Sequence, residues 1–425
     1  METLSGFGPE LRRRRLTAGM TLEGLAARVH YSKGQLSKVE TGVQRPTVEL
    51  ARLCDAALGA DGALTGLVPA DPVAVLPSRR RMMAAGAVSA LALGVATPAV
   101  ALGPGAVEEA AGTAGGLLVD GVRALFDQFR RLGQTAPAAS VLPALEAQTR
   151  TLPSLAKTAG GRAARELYVL ASRYAEYTGW MAQESGDERA ALAWTDHAVQ
   201  LATVGGDHDL AAYALVRRGL LTFYAGDARS TVEVVQGAQS GRLPARIRGL
   251  AAQREAQGHA LNGNRDACLR AMDRARLLLD RAVSDGSPGE LPVIGTVHLS
   301  DPAAMTTGWC LLDLGLPRHA TEILDREVGR IPAHATRTRV RYGIRRALAH
   351  AVGGEVDHAC ALAEPLLRES QTLASSTIRT DLRRLSRVLA RHPRNPNART
   401  LAPLLAAAMH ETVRSTSVRE EAPRG

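Results

Sequence analysis

Four polar side chains near the start of the chain have types and spacing that suit hydrogen bonding to nucleic acid. They are Lys33, Gln35, Ser37 and Lys38. The chain has 425 residues, and its one other lysine is Lys157. A helix that buries Leu36 and Val39 turns the four side chains outward. Lysine suits the N7 and O6 acceptors of guanine, and glutamine can pair with adenine. The alternative is an ordinary solvated helix face.

Sequence motifs that carry catalysis are absent. No Gly-Lys dipeptide occurs, which excludes a phosphate-binding P-loop, and there is no HExxH, GxSxG or GxGxxG pattern. The 11 histidines are scattered, and the 4 cysteines lie far apart without CxxC or disulfide-like spacing. We therefore expect no enzyme activity, no metal site and no cofactor. A reduced, cytosolic compartment fits the cysteines best.

The composition favours helices. Apolar residues make up 45% of the chain, and aromatic residues only 3%. Ala, Leu and Arg dominate, so we predict an all-α protein, and a β-sandwich or barrel is disfavoured. The formal net charge is +10, but almost all basic residues are arginine, and the charge alone says little about partners. The run Arg12–Arg15 opens the first apolar-periodic stretch, which is unlike a signal peptide.

Residues 1–70 have the pattern of five short helices. Leu11 and Leu16 give the first helix an apolar face, and the last helix begins at Asp61. The segment Arg45-Pro46-Thr47 opens the fourth helix. The residues expected on the buried side of that fourth helix are Leu50, Leu53, Ala57 and Leu58.

The second and third of these helices form a helix-turn-helix. Thr21 caps the second helix through its hydroxyl, and Ser32 caps the third. Gly42 ends the third helix as a left-handed residue. The turn His30-Tyr31-Ser32 joins the two helices, and the small Ala26 lets them touch.

The stretch GMTLEGLAARVHYSKGQLSKVETG resembles the phage repressor and Cro type of helix-turn-helix, also called the XRE family. The resemblance covers about 60 residues and pairs Arg15 with Glu40 as a partly buried structural ion pair. It differs at Leu22, where the family often has glutamine, and at His30, where it usually has glycine. Histidine tolerates positive φ better than most residues.

The resemblance implies binding to a double-stranded DNA operator, with the third helix in the major groove. The residues assigned to this DNA contact are Thr21, Ser32, Lys33, Gln35, Ser37, Lys38 and Arg45. Residues 1–70 carry nearly balanced charges, so one such domain would bind weakly at physiological salt. We therefore expect a homodimer on a short inverted repeat.

Residues 71–115 are interpreted as a linker that contains an apolar, Ala- and Gly-rich segment at 82–102. The segment follows Arg79-Arg80-Arg81 and carries no charge, which is typical of a membrane span. Its low leucine content and Pro98 argue against insertion. Membrane anchoring, a helix resting on the protein and a poorly ordered linker remain alternatives.

Residues 116–413 read as a helical repeat domain, followed by a disordered tail at 414–425. Turn glycines recur at intervals of 40, 37, 52 and 39 residues, and the long interval contains an insertion loop. They are Gly186, Gly226, Gly263, Gly315 and Gly354. A small residue seven positions before each glycine lets two helices approach closely. This spacing resembles the tetratricopeptide repeat (TPR), whose stacked hairpins form a concave α-solenoid.

The TPR resemblance places one set of residues on the concave surface, as a groove for a ligand or partner. They are Arg173, Glu176, Trp180, Tyr213, Phe223, Tyr224 and Trp309. Ordinary packing between repeats is the alternative. The order of domains resembles that of peptide-sensing bacterial regulators.

We therefore predict a cytoplasmic, nucleoid-associated transcriptional regulator whose body senses a peptide, small molecule or protein, mediates dimerisation, or does both. A protein-interaction scaffold that the DNA-binding domain localises to DNA is the alternative, and a membrane tether through 82–102 is a variant of either.

Overall fold

The computed structural model describes residues 6–68, 104–285, 292–295 and 297–409, with side chains from residue 114 onward in the second range. Every regular element in these ranges is a helix, and they contain no strand. The prediction of an all-α fold is confirmed. We call residues 6–68 the head and the described part of 104–409 the body.

The head contains four α-helices and a short 3-10 helix. They are α1 Phe7–Thr17, α2 Leu22–Arg28, α3 Lys33–Glu40, α4 Val48–Leu58 and the 3-10 helix Thr65–Leu67. The fifth helix therefore does not begin at Asp61, whose φ is +44°. The carboxylate of Asp55 accepts the backbone amides of Leu64 and Thr65, both at 2.9 Å. These hydrogen bonds fix the final turn against α4.

One predicted apolar position on α1 is wrong. Leu16 is 58% exposed, whereas Phe7 and Leu11 are buried. Residues four apart share a helix face, so Arg15 rather than Leu16 lies beside Leu11. Arg15 is tolerated inside because Glu40 neutralises it. On α4, Leu50 and Leu53 are buried as predicted, and Ala57 and Leu58 are half-buried.

The body consists of fourteen α-helices and one short 3-10 helix in the described residues. The α-helices are α5 Pro104–Thr135, α6 Ala138–Ala159, α7 Gly161–Ser185, α8 Glu188–Gly205, α9 Leu210–Tyr224, α10 Ala228–Val235, α11 Ala245–Leu261, α12 Arg265–Ser284, α13 Pro302–Asp313, α14 Pro317–Val328, α15 Thr336–Val352, α16 Val356–Leu373, α17 Ser376–Leu389 and α18 Pro396–Met409. Residues 104–115, assigned to the linker from sequence, are helical in α5.

Two segments with sequence predictions lie outside the described residues. They are the apolar segment 82–102 and the tail 414–425. Among the residues that the structure does describe, no helix combines the length and apolarity needed to cross a membrane.

Helices α7 to α16 form five consecutive hairpins. Each predicted turn glycine lies between the two helices of a hairpin and has positive φ, from +74° at Gly263 to +91° at Gly354. The preceding small residues lie where the paired helices cross. A Cβ on Gly219 would lie 2.6 Å from Val235, and one on Gly308 would lie 3.0 Å from Leu324. These glycines therefore set the helix spacing within the hairpins.

The hairpins bring distant parts of the body together around a central cavity. Glu184, at the end of α7, is 1% exposed. Its carboxylate pairs with Arg337 of α15 at 3.0 Å and accepts the hydroxyl of Thr377 in α17 at 2.9 Å. Arg337 also donates to the carbonyl of Gly133 in α5 at 2.7 Å. The first hairpin, the last hairpin and α5 thus meet at one buried ion pair.

The head packs against the body along three consecutive hairpin turns. Gly263 approaches Gly62, and Gly315 approaches the backbone of Arg52. Gly354 approaches the ring of His30. The buried apolar side chains of the head and of the later hairpins form one continuous cluster. The sequence did not indicate this docking.

Candidate functional site

Helix α3 is fixed at both ends by local hydrogen bonds. The Ser32 hydroxyl accepts the backbone amide of Gln35 at 3.2 Å, and the Gln35 side-chain oxygen accepts the backbone amide of Ser32 at 3.1 Å. This reciprocal capping box satisfies two amides of the first turn. At the other end, Gly42 has φ +75°. The predicted caps of α3 are therefore confirmed.

The two lysines of α3 face solvent. The Lys33 side chain is 65% exposed, and Lys38 is also exposed. The Lys33 Nζ lies 3.4 Å from a carboxylate oxygen of Glu23, whose side chain is 77% exposed. Such a surface pair is weak, and a phosphate group can replace its carboxylate. Between the lysines, Ser37 is half-buried. The structure thus leaves the cationic face of α3 open to another molecule.

The capping box holds the side chain of Gln35 and limits its predicted role in base recognition. Its side-chain oxygen is engaged in the capping box, and the residue is half-buried. Bidentate pairing with adenine uses both the oxygen and the amide nitrogen of glutamine. In this conformation only the nitrogen is left to donate. Two-point base recognition by Gln35 therefore requires the capping box to open.

The other predicted contacts lie at the edges of α3. Thr21 is exposed, and its hydroxyl accepts the amide of Gly24 at 3.0 Å, which confirms it as the cap of α2. Arg45 is exposed, in the loop between α3 and α4, next to Val43, which is 77% exposed. The exposed backbone of this loop and the Arg45 guanidinium can contact phosphates.

The orientation of α3 is set by buried contacts on its inner side. Arg15 donates from Nε and Nη2 to the two carboxylate oxygens of Glu40 at 2.7 and 2.9 Å, and from Nη1 to the carbonyl of Met20 at 2.9 Å. His30, in the turn between α2 and α3, has φ +52°. The bidentate pair ties the end of α3 to α1, and the left-handed turn sets its angle to α2.

A tight turn joins α2 and α3, and α3 is capped and exposed. This is the geometry of a helix-turn-helix, in which the second helix lies in the major groove of DNA. Residues 7–67 match the family model of a helix-turn-helix domain. The head is a helix-turn-helix DNA-binding domain. Comparison with curated proteins and with solved structures found no match to the chain.

The body contains a cavity of about 160 Å³ on the side formed by the first helix of each hairpin. Helix α5 and residues 292–295 and 297–299 complete its wall. Of the residues assigned to a groove from sequence, the cavity lining includes Arg173, Glu176, Trp180, Tyr213 and Trp309. Phe223 and Tyr224 instead pack edge-on against Trp309, with ring centres 5.4 and 6.2 Å away. The structure thus brings five of the seven predicted residues to one surface.

The cavity wall is rich in arginine. The lining arginines are Arg130, Arg173, Arg217, Arg254, Arg337 and Arg341. Arg173 pairs with Asp207 at 2.5 Å, Arg217 with Glu176 at 3.4 Å, and Arg337 with Glu184 at 3.0 Å. Three of the six therefore have a carboxylate partner.

Of these six arginines, only Arg173 was predicted from the sequence, and the other five, including Arg337 and Arg341, were not. A signal existed for two of them, because Arg337, Arg341 and Arg345 are spaced by four residues on α15. That spacing places them on one helix face. In an arginine-rich chain the pattern does not stand out, since many helices have arginines on their solvated face.

A chain of contacts joins the cavity to the head. The Arg345 guanidinium lies 3.6 Å from the ring centre of Trp309 and 3.6 Å from a carboxylate oxygen of Asp313. Asp313 also accepts a hydrogen bond from Arg384 at 2.8 Å, and it lies 3.5 Å from Arg52 of α4.

Asp313 is the central residue of this series of contacts. It is 0% exposed. Burial alone would raise the pKa of its carboxyl, but Arg384, Arg345 and Arg52 together hold that pKa below its ordinary value. Arg384 also lies 3.5 Å from Glu49 of α4. Ion pairs thus connect the head to a wall of the cavity. If one of the charged groups moves, its partners must move with it or the ion pair is lost.

Proposed function

We propose that the protein is a sequence-specific, XRE-type transcriptional regulator that acts in the cytoplasm and whose TPR-like body senses a ligand. The observation that carries the proposal is the exposure of the Lys33 and Lys38 face of α3 while the head is docked on the body. The docking contacts use α4, the loop after it at Gly62 and the turn before α3. DNA binding and docking are therefore compatible in one conformation.

The sensing role is supported by the connection between cavity and head. A ligand against Trp309 changes the packing of Arg345, which shares Asp313 with Arg52 and Arg384. A ligand shifts an equilibrium only by its difference in affinity for two states. We propose that these states differ in how firmly the head is held. No enzymatic activity is part of this proposal.

We also propose that the functional unit is a homodimer. One head offers few phosphate contacts, since Arg15 and Arg52 are buried in ion pairs and Arg13 and Arg14 share Glu10. Two heads on half-sites one helical turn apart would add their contacts. Sedimentation of the free chain and of its DNA complex measures the number of copies.

DNA selection tests the proposed function. The purified full chain is mixed with sheared genomic DNA, and the retained fragments are sequenced. We expect a short inverted repeat. Binding to that repeat should be lost in the double variant Lys33→Ala, Lys38→Ala.

Lys157→Ala is the matched control, because it removes the chain's only other lysine, which is exposed on α6. It should bind like the wild type. Each lost phosphate contact should also reduce the slope of log affinity against log salt by about 0.9. A double variant with unchanged affinity and salt slope contradicts the proposal.

A further inference from the structure

The cavity has more positive than negative charge. Among the residues that the structure describes, Arg130, Arg254 and Arg341 line it without a carboxylate within ion-pair distance. Arg341 donates to the hydroxyl of Tyr224. Burial lowers the pKa of its guanidinium, but Tyr224, Tyr342 and the more distant carboxylates of Glu184 and Asp381 raise that pKa above its ordinary value. Arg130 lies 5.8 Å from the ring centre of Phe126. All three arginines are half-buried, so water compensates their charge only in part, and a nearby negative charge would stabilise them.

Arg254 is the least compensated of the three. Its Nη1 donates to the side-chain oxygen of Gln257 at 2.5 Å, and its buried Nε has no hydrogen-bond partner. Burial lowers the pKa of its guanidinium, and the neighbouring Arg341 lowers that pKa further. Tyr342, Tyr224 and Tyr213 act in the opposite direction. An incoming anion would supply the missing negative charge.

The rest of the wall suits a small apolar body. Aromatic rings of Phe126, Tyr177, Trp180, Tyr213, Trp309 and Tyr342 line the cavity. Its volume is about 160 Å³, close to the roughly 150 Å³ of an apolar cavity that holds a benzene molecule. This space fits one ring and a charged substituent, and it is too small for a folded segment or a peptide of several residues.

We propose that the cavity binds a small organic anion, in which a carboxylate or phosphate on a ring-sized apolar body meets Arg254 and Arg341. Guanidinium groups match both anions with paired hydrogen bonds. The ring lies among the aromatic side chains. The inference rests on the proposed sensing function and defines the chemistry of the ligand. It also gives a role to the half-buried arginines that line the cavity without a carboxylate within ion-pair distance.

Probes of equal size and different charge test the inference. Benzoate and phenyl phosphate are titrated into the full chain, with benzamide as the neutral counterpart of benzoate. Binding is followed by tryptophan fluorescence, since Trp180 and Trp309 line the cavity, and by the melting temperature. We expect saturable binding of at least one anion, and binding of benzamide at least about tenfold weaker. Comparison of the two anions distinguishes a carboxylate ligand from a phosphate ligand.

A variant then locates the binding. Arg254→Met removes the charge and keeps the length of the side chain, and it should weaken anion binding at least about tenfold. Arg276→Met is the control, because Arg276 is exposed on α12 and lies outside the cavity. Arg254→Lys keeps the charge and should retain part of the binding. Equal binding of benzamide, no saturable binding of either anion at millimolar concentration, or unchanged binding in Arg254→Met overturns the inference.

This experiment is independent of DNA. Anion binding that leaves the DNA affinity unchanged would contradict the sensing role in the proposed function and leave the ligand chemistry standing. DNA binding that is regulated by another ligand, without affinity for these anions, would contradict the ligand chemistry and leave the sensing role standing.

Discussion

At the scale of single residues, the head depends on one charged pair in its interior. The side chains of Arg15 and Glu40 are only 9% and 7% exposed. Either partner left alone would be a charge with little access to water. The pair therefore specifies the position of α3 relative to α1 only as long as both members are present.

We predict that Arg15→Ala destabilises the head by about 2 kcal/mol, because Glu40 loses its buried partner. Hydrogen exchange of the amides of α1 and α3 measures this change. The control is Arg13→Ala on the same helix. Arg13 forms a surface pair with Glu10 and is 60% exposed, so its removal should change exchange little. Equal exchange in the two variants would show that the buried pair has no special role.

At the scale of helices and turns, the turn glycines have two different tasks. Gly226 and Gly315 have nearly the same φ, +78° and +76°. A Cβ on Gly226 would have no atom within 4 Å, whereas one on Gly315 would lie 2.7 Å from the carbonyl oxygen of Arg52. Gly226 therefore only provides the positive φ that the turn of its hairpin needs. Gly315 does the same and also lets the head approach the body.

We predict that Gly315→Ala loosens the docking of the head, while Gly226→Ala does not. Both substitutions impose about 1 kcal/mol of backbone strain, because alanine disfavours positive φ. Only Gly315→Ala adds a clash with α4. Faster hydrogen exchange of α4 in Gly315→Ala alone is the expected result. Similar exchange of α4 in both variants would mean that the close approach at Gly315 does not hold the head.

The elements that were predicted from sequence are those specified locally. Ser32 and Gly42 end α3 through bonds to nearby residues, and a glycine such as Gly186 marks a turn by itself. The wrong prediction of a buried Leu16 shows where local patterns fail. Leu16 is exposed because Arg15 takes the inner face of α1, where it pairs with Glu40 of another helix. Ion pairs between distant segments, such as Arg52 with Asp313, leave no local pattern. The docking of the head and the shape of the cavity depend on such pairs.

At the scale of the whole molecule, the head and the cavity share one buried network of charges. Asp313 lies within ion-pair distance of Arg52, Arg345 and Arg384, which come from three helices. Asp381 also pairs with Arg345, and Glu49 with Arg384. Arg345 extends the network to Trp309 in the cavity wall. These contacts support the proposal that a ligand in the cavity alters the strength with which the body holds α4.

We predict that Asp313→Asn uncouples the two sites. Without the carboxylate, Arg52 loses its ion-pair partner, while Arg345 keeps Asp381 and Arg384 keeps Glu49. The head should therefore be held less firmly to the body. DNA affinity should then no longer respond to an anion that binds the cavity. Asp325→Asn is the control, because Asp325 pairs with Arg346 and His350 at a half-exposed site outside this network. A full ligand response in Asp313→Asn would exclude the network as the connection.

We propose that α3 binds in the major groove of DNA through Lys33 and Lys38. Guanine N7 lies in that groove, so methylation interference at N7 on the selected operator is the most direct measurement. The account predicts that N7 methylation blocks binding at guanines within each half-site, and that Lys33→Ala removes this sensitivity at particular positions. Binding that is indifferent to N7 methylation throughout the operator would contradict the account.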